Sequence, residues 1–435
     1  MLLLPYIIIF VFLILLLKNK TWAFCFYLAC RLVLPPVIRL GAMSMNTVMA
    51  FLMLFVLILS FSKLEKWRKR LFFPLTLLIL PLGVLSFFGI IPYNVVFKNL
   101  FQFFMTEISP CLFLACCLKG SKDIKLVLST ILLSYLVIGV WGIMTYVLKM
   151  NPYYTYFVLA FGGDFEYADY TGDGFGEIRG SLDAAASGNV SGPLPWGQES
   201  MLVALFFLFY DKIKMNKKLL IVIVVLAFLN VFLTGKRSCL LPLIIFGVYF
   251  CGKRGLLSLK NILFTFMILI ASYVVISSVP MFKSLNKNIE STVFFWDDKV
   301  AARNNIEGSS LEMRQTQFEY ANHMISANPF CGLGFDYPSF YSSKHGKHPV
   351  MLGFESIYFF VLVSSGFLGL IIWFLFFRRI YLLTNVKLSD FGFSLAYHGG
   401  FLLSCILTAI QSSLWIYLIL SFLYIVNNNF VIKNK

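Results

Sequence analysis

The chain has 435 residues, of which 59% are apolar and only 13% are charged, and its formal net charge is +16. Its uncharged runs of about 17–25 residues are long enough to cross a bilayer, and so many helices that are apolar on every side exclude a soluble globular protein. The basic residues gather in short loops between the apolar runs, which argues against nucleic-acid binding and is typical of membrane topology signals. These loops are 63–70, 119–125, 211–218, 253–260 and 378–387, and the positive-inside rule places them in the cytoplasm.

The apolar segments predict about thirteen membrane-spanning helices. They are 2–17, 22–34, 47–62, 71–91, 97–118, 126–148, 200–210, 219–233, 238–251, 262–279, 355–377, 391–410 and 414–426. The first has no basic n-region and no small-residue cleavage site, so we expect a span rather than a signal peptide. If one N-terminal segment lies along the interface instead, about twelve spans remain, with both termini inside.

The expected fold is an all-α polytopic membrane protein with about 12–13 transmembrane helices and two large periplasmic loops, the second of which contains helices. Five regions follow from this topology. They are the N-terminal transmembrane helices in 1–150, a first large periplasmic loop in 151–198, transmembrane helices with the Arg237 turn in 199–280, a second large periplasmic loop in 281–354 and the C-terminal transmembrane helices in 355–435.

Arg179 is the only basic residue in the first large loop, which also contains six acidic residues. One interpretation is a weak, exposed ion pair with Glu177 or Asp183. The alternative is an arginine that contacts an anionic ligand at the outer face.

Lys236 and Arg237 lie in a four-residue turn between two apolar segments. Two cations at the membrane edge are costly unless their side chains snorkel or pair. They are therefore either an interfacial anchor against lipid headgroups or a binding site for an anionic ligand. The helix that begins at Ser238 favours the second interpretation, because the free N–H groups of a helix N-terminus attract anions.

A helix is predicted in the second large loop, with Ser309 and Glu312 as a capping box at its start and Asn328-Pro329 as its stop. At about 100° per residue, Arg314 falls within the apolar stripe of this helix. Arg314 therefore either snorkels along the surface or directs its guanidinium into a cleft, where it can hold a diphosphate in a bidentate manner.

Glu355 begins the next apolar segment, and His345 and His348 lie upstream of it. A carboxylate in the first helical turn either stabilises the helix dipole or, if it faces a cleft, acts as general base toward a sugar hydroxyl. The two histidines are spaced loosely for metal ligands and have no evident third ligand, so they are interpreted as part of a basic loop. No GxxxxGK[ST], HExxH or paired-aspartate motif is present either. We therefore expect no metal and no cofactor.

These residues resemble the O-antigen polymerase and ligase superfamily of bacterial inner membranes. The matching motifs are Thr234-Gly235-Lys236-Arg237-Ser238, Arg314 in a loop helix, Asn328-Pro329-Phe330-Cys331-Gly332-Leu333-Gly334, Glu355-Ser356-Ile357-Tyr358 and Ser365-Gly366-Phe367-Leu368-Gly369. The resemblance is best over residues 220–380, and Arg179-Gly180 followed by Ser191-Gly192-Pro193 is similar to the earlier loop of such proteins.

The resemblance implies metal-free, inverting glycan transfer between undecaprenyl-diphosphate-linked oligosaccharides, which are both donor and acceptor, at the periplasmic face of the inner membrane. The resemblance also implies membrane lipids and a chain-length regulator as partners. Nucleic acid is not an expected partner. The residues expected to be catalytic are Glu355, Arg314 and Arg237, and those expected to bind the diphosphate or sugars are Arg179, Lys236, His345, His348 and Tyr337. For the loop aromatics, Tyr337 among them, packing is the alternative to stacking on sugars.

A polymerase is preferred over an O-antigen ligase, which transfers glycan to lipid A–core. A histidine in this loop is usually important in the ligases, whereas here Glu355-Ser356 stands before the last motif and the nearby histidines lie seven or more residues upstream. This departure favours the polymerase without excluding the ligase. A polysaccharide flippase or other transporter is a third hypothesis. It predicts charged residues along several spans, whereas the ionisable residues within spans are few, Glu107 and His398 among them.

Overall fold

The structure, a computed structural model, is built almost entirely of helices. It describes residues 3–41, 43–161, 185–190, 192–212, 215–258, 311–346, 350–351, 356–408 and 413–433, together with positions 260, 267, 273, 277, 278 and 286. Within these residues the one sheet is a short hairpin, in which Arg39 pairs with Ser44 and Leu40 with Met43. The all-α class predicted from the apolar segments is confirmed.

Eight helices precede the first large loop. They are α1 (Leu4–Lys18), α2 (Lys20–Val33), α3 (Met45–Ser60), α4 (Lys66–Lys69), α5 (Phe73–Ser86), α6 (Tyr93–Phe103), α7 (Ser109–Cys117) and α8 (Ser121–Leu148). A π-helical turn, Phe104–Ile108, joins α6 to α7. Asn19 separates α1 from α2, because its side chain accepts hydrogen bonds from the first N–H groups of α2, at 2.9 Å from Thr21 N.

Nine further helices are described in the rest of the chain. They are α9 (Pro152–Ala160), α10 (Pro193–Phe209), α11 (Lys217–Leu233), α12 (Arg237–Lys253), α13 (Leu311–Ser326), α14 (Tyr337–His345), α15 (Ile357–Thr384), α16 (Phe391–Leu407) and α17 (Leu414–Lys433). Helix α13 is the helix predicted in the second loop, and it ends before Asn328-Pro329 as expected.

Six helical stretches among the described residues are long and apolar enough to cross a membrane. They are Met45–Lys63, Lys66–Ser86, Tyr93–Cys117, Ser121–Leu148, Ile357–Thr384 and Leu388–Leu407, and two shorter apolar helices are Leu4–Lys18 and Leu414–Phe430. The chain is therefore a polytopic membrane protein. The expected span 262–279 lies outside the described residues apart from single positions, so the total of about 12–13 spans stays a prediction.

Helix α10 begins at Pro193, whereas the predicted span began at Ser200. Proline fits the first turn of a helix because the N–H that it lacks would have no partner there. As a result Gln198 and Glu199 are helical and buried, with exposed fractions of 0% and 4%. Two polar side chains thus lie inside the bundle at a place where the sequence predicts the edge of a loop.

Helix α15 is interrupted at Gly366, whose φ of 63° and ψ of −164° are not helical. The segment 328–335, which we call the inserted segment, fills the interruption. Leu333 N donates a hydrogen bond to Val363 O at 2.8 Å. Gly334 N donates to Ser364 O at 2.9 Å. Two carbonyl groups that the break frees from the helix are thereby paired.

The N–H groups beyond the break are paired with the inserted segment in the same way. Phe367 N donates to Pro329 O at 2.9 Å, and Leu368 N donates to Phe330 O at 3.2 Å. Non-helical backbone at membrane depth is tolerated only where the protein itself supplies such partners. The inserted segment is therefore part of the bundle rather than a surface loop.

Two of the basic loops are held against the bundle by buried contacts. Arg68 donates to the carbonyl groups of Ala115 and Leu118, each at 2.7 Å, and so completes the carboxyl end of α7. Lys212 Nζ lies 2.6 Å from Asp390 Oδ1, which is fully buried at the start of α16. These pairings fix the connection between α3 and α5, which contains α4, and the loops after α10 and before α16.

Candidate functional site

A tight turn joins α11 to α12 and carries the two cations that the sequence singles out. Gly235 adopts a φ of +64°, which reverses the chain after α11. Lys236 N donates to Thr234 Oγ1 at 3.2 Å, and Arg237 is the first residue of α12. Both cations are half-buried, and both make further interactions. The positive charge of Arg237 thus adds to the field of the N–H groups at the start of α12.

Helix α10 packs closely against this turn at Gly197. A Cβ atom at Gly197 would lie 3.1 Å from Cys239 Sγ and 3.2 Å from Thr234 Oγ1, so the approach depends on the missing side chain. The residues before α10 reach the same turn, since Ala186 N donates to Leu233 O at 3.1 Å. The last described residues of the first loop therefore lie beside the Arg237 turn.

Contacts to the last turn of α16 identify the elements that lie together at one end of the bundle. Gln198 Nε2, on α10, donates to Ser404 Oγ at 3.3 Å. Ser356 Oγ, at the N-cap of α15, donates to Ile406 O at 2.9 Å. The first turns of α10, the Arg237 turn and the start of α15 therefore lie at the same end, away from Lys212 and Asp390.

A buried ion pair joins the N-terminal helices. Arg31, near the end of α2, and Glu107, in the π-helical turn, approach to 3.2 Å between Nη2 and Oε1, and their side chains are 8% and 11% exposed. Removing two charges from water costs several kcal/mol per ion, so such a pair is stable only if the remaining polar atoms also find partners.

Both members of the pair have such partners. Arg31 also donates to the carbonyl O of Thr106, which is available because Pro110, four residues later, has no N–H. Glu107 Oε2 accepts from Trp415 N at 2.8 Å, at the start of α17. The Arg31 guanidinium carbon lies 4.2 Å from the centroid of the Trp415 ring. The pair therefore connects α2, the π-helical turn and α17.

Glu199 joins this cluster from α10. Trp415 Nε1 donates to Glu199 Oε1 at 3.3 Å, and the neighbouring Gln198 Oε1 accepts from Ser413 Oγ at 2.7 Å. Positions 197 and 199 are about 200° apart around a helix, so α10 contacts the Arg237 turn on one side and this cluster on the other. One arginine and two carboxyl groups are thus buried together on the side of α10 that faces away from the Arg237 turn. We call Arg31, Glu107 and Glu199 the buried charge cluster.

The sequence interpretation singled out Glu107 but not Arg31 or Glu199. A signal for Arg31 exists, because it lies inside the predicted span 22–34 and an ionisable residue within a span is a functional suspect. Glu199 immediately precedes the predicted span 200–210, so the sequence places it at a loop boundary. Arg31, Glu107, Glu199 and Trp415 are far apart in the chain, so no local sequence pattern predicts that they contact one another.

Helix α13 carries Arg314 in its first turn and packs against the start of α15. The ring of Phe318 lies 6.1 Å from that of Tyr358 and 6.4 Å from that of Phe359. Helix α13 therefore belongs to the same end of the bundle as the Arg237 turn. Outside the described residues lie the side chain of Arg314 and the whole of Glu355, Arg179 and His348.

Tyr337 and His345 are the first and last residues of α14. Tyr337 is half-buried against the hydrophobic core, which favours the packing role considered for the loop aromatics, whereas His345 is exposed. Asp336, just before α14, has a φ of +60° and accepts a hydrogen bond from Ser339 Oγ at 2.6 Å. Burial raises the pKa of the Asp336 carboxyl to about 6. This carboxyl was not singled out from the sequence.

The chemistry that the described side chains gather is that of anion binding. Lys236 and Arg237 lie together at a helix N-terminus, and a guanidinium matches the geometry of phosphate oxygens. In the part of the chain that the structure describes, no three His, Cys, Asp or Glu side chains are grouped to hold a metal ion. The arrangement can thus neutralise a phosphate group with protein cations alone.

Residues 222–374 match the model of a protein family described as O-antigen ligase. The match begins within α11 and ends within α15, so it includes the Arg237 turn, α13 and the inserted segment. A search of curated proteins finds no match to this chain.

Proposed function

Because the chain carries a domain of the O-antigen ligase and polymerase superfamily at residues 222–374, we propose that it is an O-antigen polymerase. It joins undecaprenyl-diphosphate-linked repeat units at the periplasmic face of the inner membrane, with a chain-length regulator as a further partner. The observation that carries the proposal is the position of the matched elements. The Arg237 turn, α13 and the start of α15 lie at one end of the bundle, on the side away from the basic loops.

The first requirement of such a transfer is to stabilise the diphosphate that leaves the donor. Arg237 and Arg314 neutralise its charge in this proposal, with Lys236 and Arg179 as further contacts. The half-buried position of Arg237 at the start of α12 supports its part, because a partly desolvated cation and the dipole of a helix N-terminus act together on an anion. A diphosphate neutralised in this way leaves without a metal ion.

The second requirement is to activate the sugar hydroxyl of the acceptor. Glu355 takes the proton of this hydroxyl in the proposal, and His345 and His348 contact the sugars or the diphosphate beside it. Ser356, which follows Glu355 in the chain, lies at the end of the bundle that holds Arg237. The oxygen attacks the anomeric carbon in line as the bond to the diphosphate oxygen breaks, so the anomeric configuration is inverted.

The buried charge cluster has a positioning role in this scheme. It fixes α10 and α17 to the N-terminal helices, and α10 in turn supports the Arg237 turn through Gly197. A site in which cations must lie within hydrogen-bond reach of a diphosphate requires such rigid support.

The alternative is an O-antigen ligase, which transfers the glycan to lipid A–core. The description of the matched family favours it, as does the presence of His345 in the second loop. Donor and leaving group are the same in both reactions, so the roles of the arginines are shared and only the acceptor differs.

The test is chain extension by the purified full-length protein, with lipid-linked repeat units and EDTA. We expect ladders of products, and we expect Arg237→Ala to reduce their formation by about 10²–10³-fold, as the loss of a group that stabilises transition-state charge does. Arg254→Ala is the matched control, because Arg254 is an exposed cation at the other end of the same helix and should extend chains normally.

Parallel reactions contain lipid A–core as acceptor. Transfer to lipid A–core without chain extension would identify a ligase, and no transfer in either reaction would favour a flippase. Wild-type extension by Arg237→Ala would contradict the proposed role of the turn, and loss of activity in EDTA would contradict the metal-free chemistry.

A further inference from the structure

A groove lies between α5 and α15 at the end of the bundle that carries the basic loops. Its volume is about 210 Å³, and it is lined by Phe73, Leu77, Leu375, Arg378, Arg379 and Leu382. It lies near the first residues of α5 and the last two turns of α15, and both helices belong to stretches that are long and apolar enough to cross a membrane. The groove takes no part in the proposed transfer reaction, which occurs at the other end of the bundle.

The positive side of the groove is formed by two adjacent guanidinium groups. Arg378 and Arg379 are both exposed, and neither has an ion-pair or hydrogen-bond partner among the described residues. Two adjacent guanidinium groups without a counter-charge favour a phosphate-bearing ligand.

The rest of the groove lining is apolar. Leu77 and Leu375 contribute to its wall, and Leu382, which is 42% exposed, lies at its edge. A small hydrated anion would satisfy the arginines but leave this wall against water. A lipid with a neutral headgroup would cover the wall but leave both arginines without a counter-charge. A molecule that carries a phosphate and an acyl chain satisfies both sides.

We infer that this groove binds an anionic glycerophospholipid of the cytoplasmic leaflet, with its phosphate held by Arg378 and Arg379 and its acyl chain against Leu77, Leu375 and Leu382. The positive-inside topology places the groove in that leaflet, where juxtamembrane cations attract anionic lipids. The groove adds to this general attraction a wall that a lipid tail can cover.

The experiment measures lipid retention by the purified full-length protein in native mass spectrometry, with dioleoylphosphatidylglycerol and dioleoylphosphatidylcholine as probes. We expect the wild type to retain phosphatidylglycerol in preference to phosphatidylcholine. The double variant Arg378→Gln/Arg379→Gln should lose this preference by about tenfold or more, since charge-assisted bonds to phosphate are lost. Leu382→Trp, which keeps both arginines but narrows the groove, should also weaken retention.

The matched control is Lys217→Gln/Lys218→Gln, which removes two exposed cations from the same face of the protein away from the groove. It should retain phosphatidylglycerol like the wild type. Equal loss in this control, or full retention by Leu382→Trp, would show general surface attraction and overturn the inference. So would full retention by the double arginine variant. Glycerol 3-phosphate, which has the headgroup chemistry without a tail, should not displace the lipid; displacement would mean that the groove binds free phosphate compounds.

Discussion

Gly332 and Gly366 are the residues at which the inserted segment and α15 touch backbone to backbone. A Cβ atom on Gly332 would lie 2.4 Å from Ser365 N, and one on Gly366 would lie 2.4 Å from Phe330 C, and both glycines have a positive φ. Alanine at either position must push the two backbones apart and adopt a strained conformation, at a cost of about 2–4 kcal/mol. We expect Gly332→Ala and Gly366→Ala each to lower the melting temperature of the purified protein and to abolish chain extension.

Gly247 provides the control for these two variants. It lies within α12, its φ is not positive, and nothing lies within 4 Å of a Cβ atom placed there. Gly247→Ala should melt at the wild-type temperature or slightly above it, because alanine is the better helix former. Wild-type melting temperatures for Gly332→Ala and Gly366→Ala would mean that the two backbones are farther apart than described.

Asp336 predicts a pH dependence of stability. Its half-buried carboxyl accepts hydrogen bonds from Ser339 and Asn99, and partial burial raises its pKa from 3.8 to about 6. The folded state therefore binds the proton more tightly than the unfolded state does. The resulting stabilisation is present at low pH, is lost as the pH rises from about 4 to about 6, and remains absent above that range.

Asp336→Asn should therefore melt at a higher temperature than the wild type at about pH 7.5, because asparagine carries no charge to be buried. The amide oxygen of the new side chain can still accept from Ser339, and the amide of Asn99 can turn to suit its new partner. The difference in melting temperature should disappear below about pH 4. A difference that instead grows as the pH falls would show that the carboxylate is stabilised, not destabilised, by folding.

At the scale of elements, whether a feature could be predicted from the sequence depends on how far apart the interacting residues are in the chain. Helices α8 and α12 lie close to their predicted spans because long apolar runs permit one interpretation. The interruption of α15 could not be predicted, since Gly366 is one glycine in a run that otherwise favours a continuous helix, and the groups that replace its hydrogen bonds belong to another segment. Arg237 could be singled out because the turn that contains it is a local sequence pattern. The partners of Glu107, Arg31 and Trp415, could not be predicted because they are far from it in the chain.

The Arg31–Glu107 pair links two helical elements, and its energetics can be measured by a double-mutant cycle. Arg31→Met leaves the Glu107 carboxylate buried without its cation, and Glu107→Gln leaves the guanidinium without its anion, at about 3–5 kcal/mol each. The double variant buries neither charge, so it should lose less stability than the sum of the two single variants. Full recovery is not expected, because the Thr106 carbonyl also loses its donor.

The measurement is unfolding of the purified variants in detergent, compared with Arg254→Met, which removes an exposed cation and should change stability by at most about 0.5 kcal/mol. Strictly additive losses for Arg31→Met and Glu107→Gln would mean that the two side chains do not interact, and that the buried charge cluster does not hold α2 to the π-helical turn.

At the scale of the whole molecule, the cationic turn and the basic loops are predicted on opposite sides of the membrane. Alkaline phosphatase fused after Lys149 or Gly346 should be active, because both follow helices that end at the outer face in the proposed topology. Green fluorescent protein fused after Gly255 or Asn385 should be fluorescent, since both positions follow basic cytoplasmic ends. The reverse pattern would place Arg237 in the cytoplasm and remove the basis for a periplasmic reaction.

The break in α15 also has a consequence for the order in which the protein is made. The inserted segment precedes α15 in the chain, and the residues that hold its other side are made much earlier, since Ile90 N donates to Leu333 O at 2.8 Å and Phe335 N to Ser86 Oγ at 3.0 Å. Until the ribosome has passed Leu368, these amide and carbonyl groups have no complete set of partners, and lipid offers none. The nascent chain must therefore keep this junction in water or within the insertion machinery, and a truncated protein that ends before α15 cannot close it.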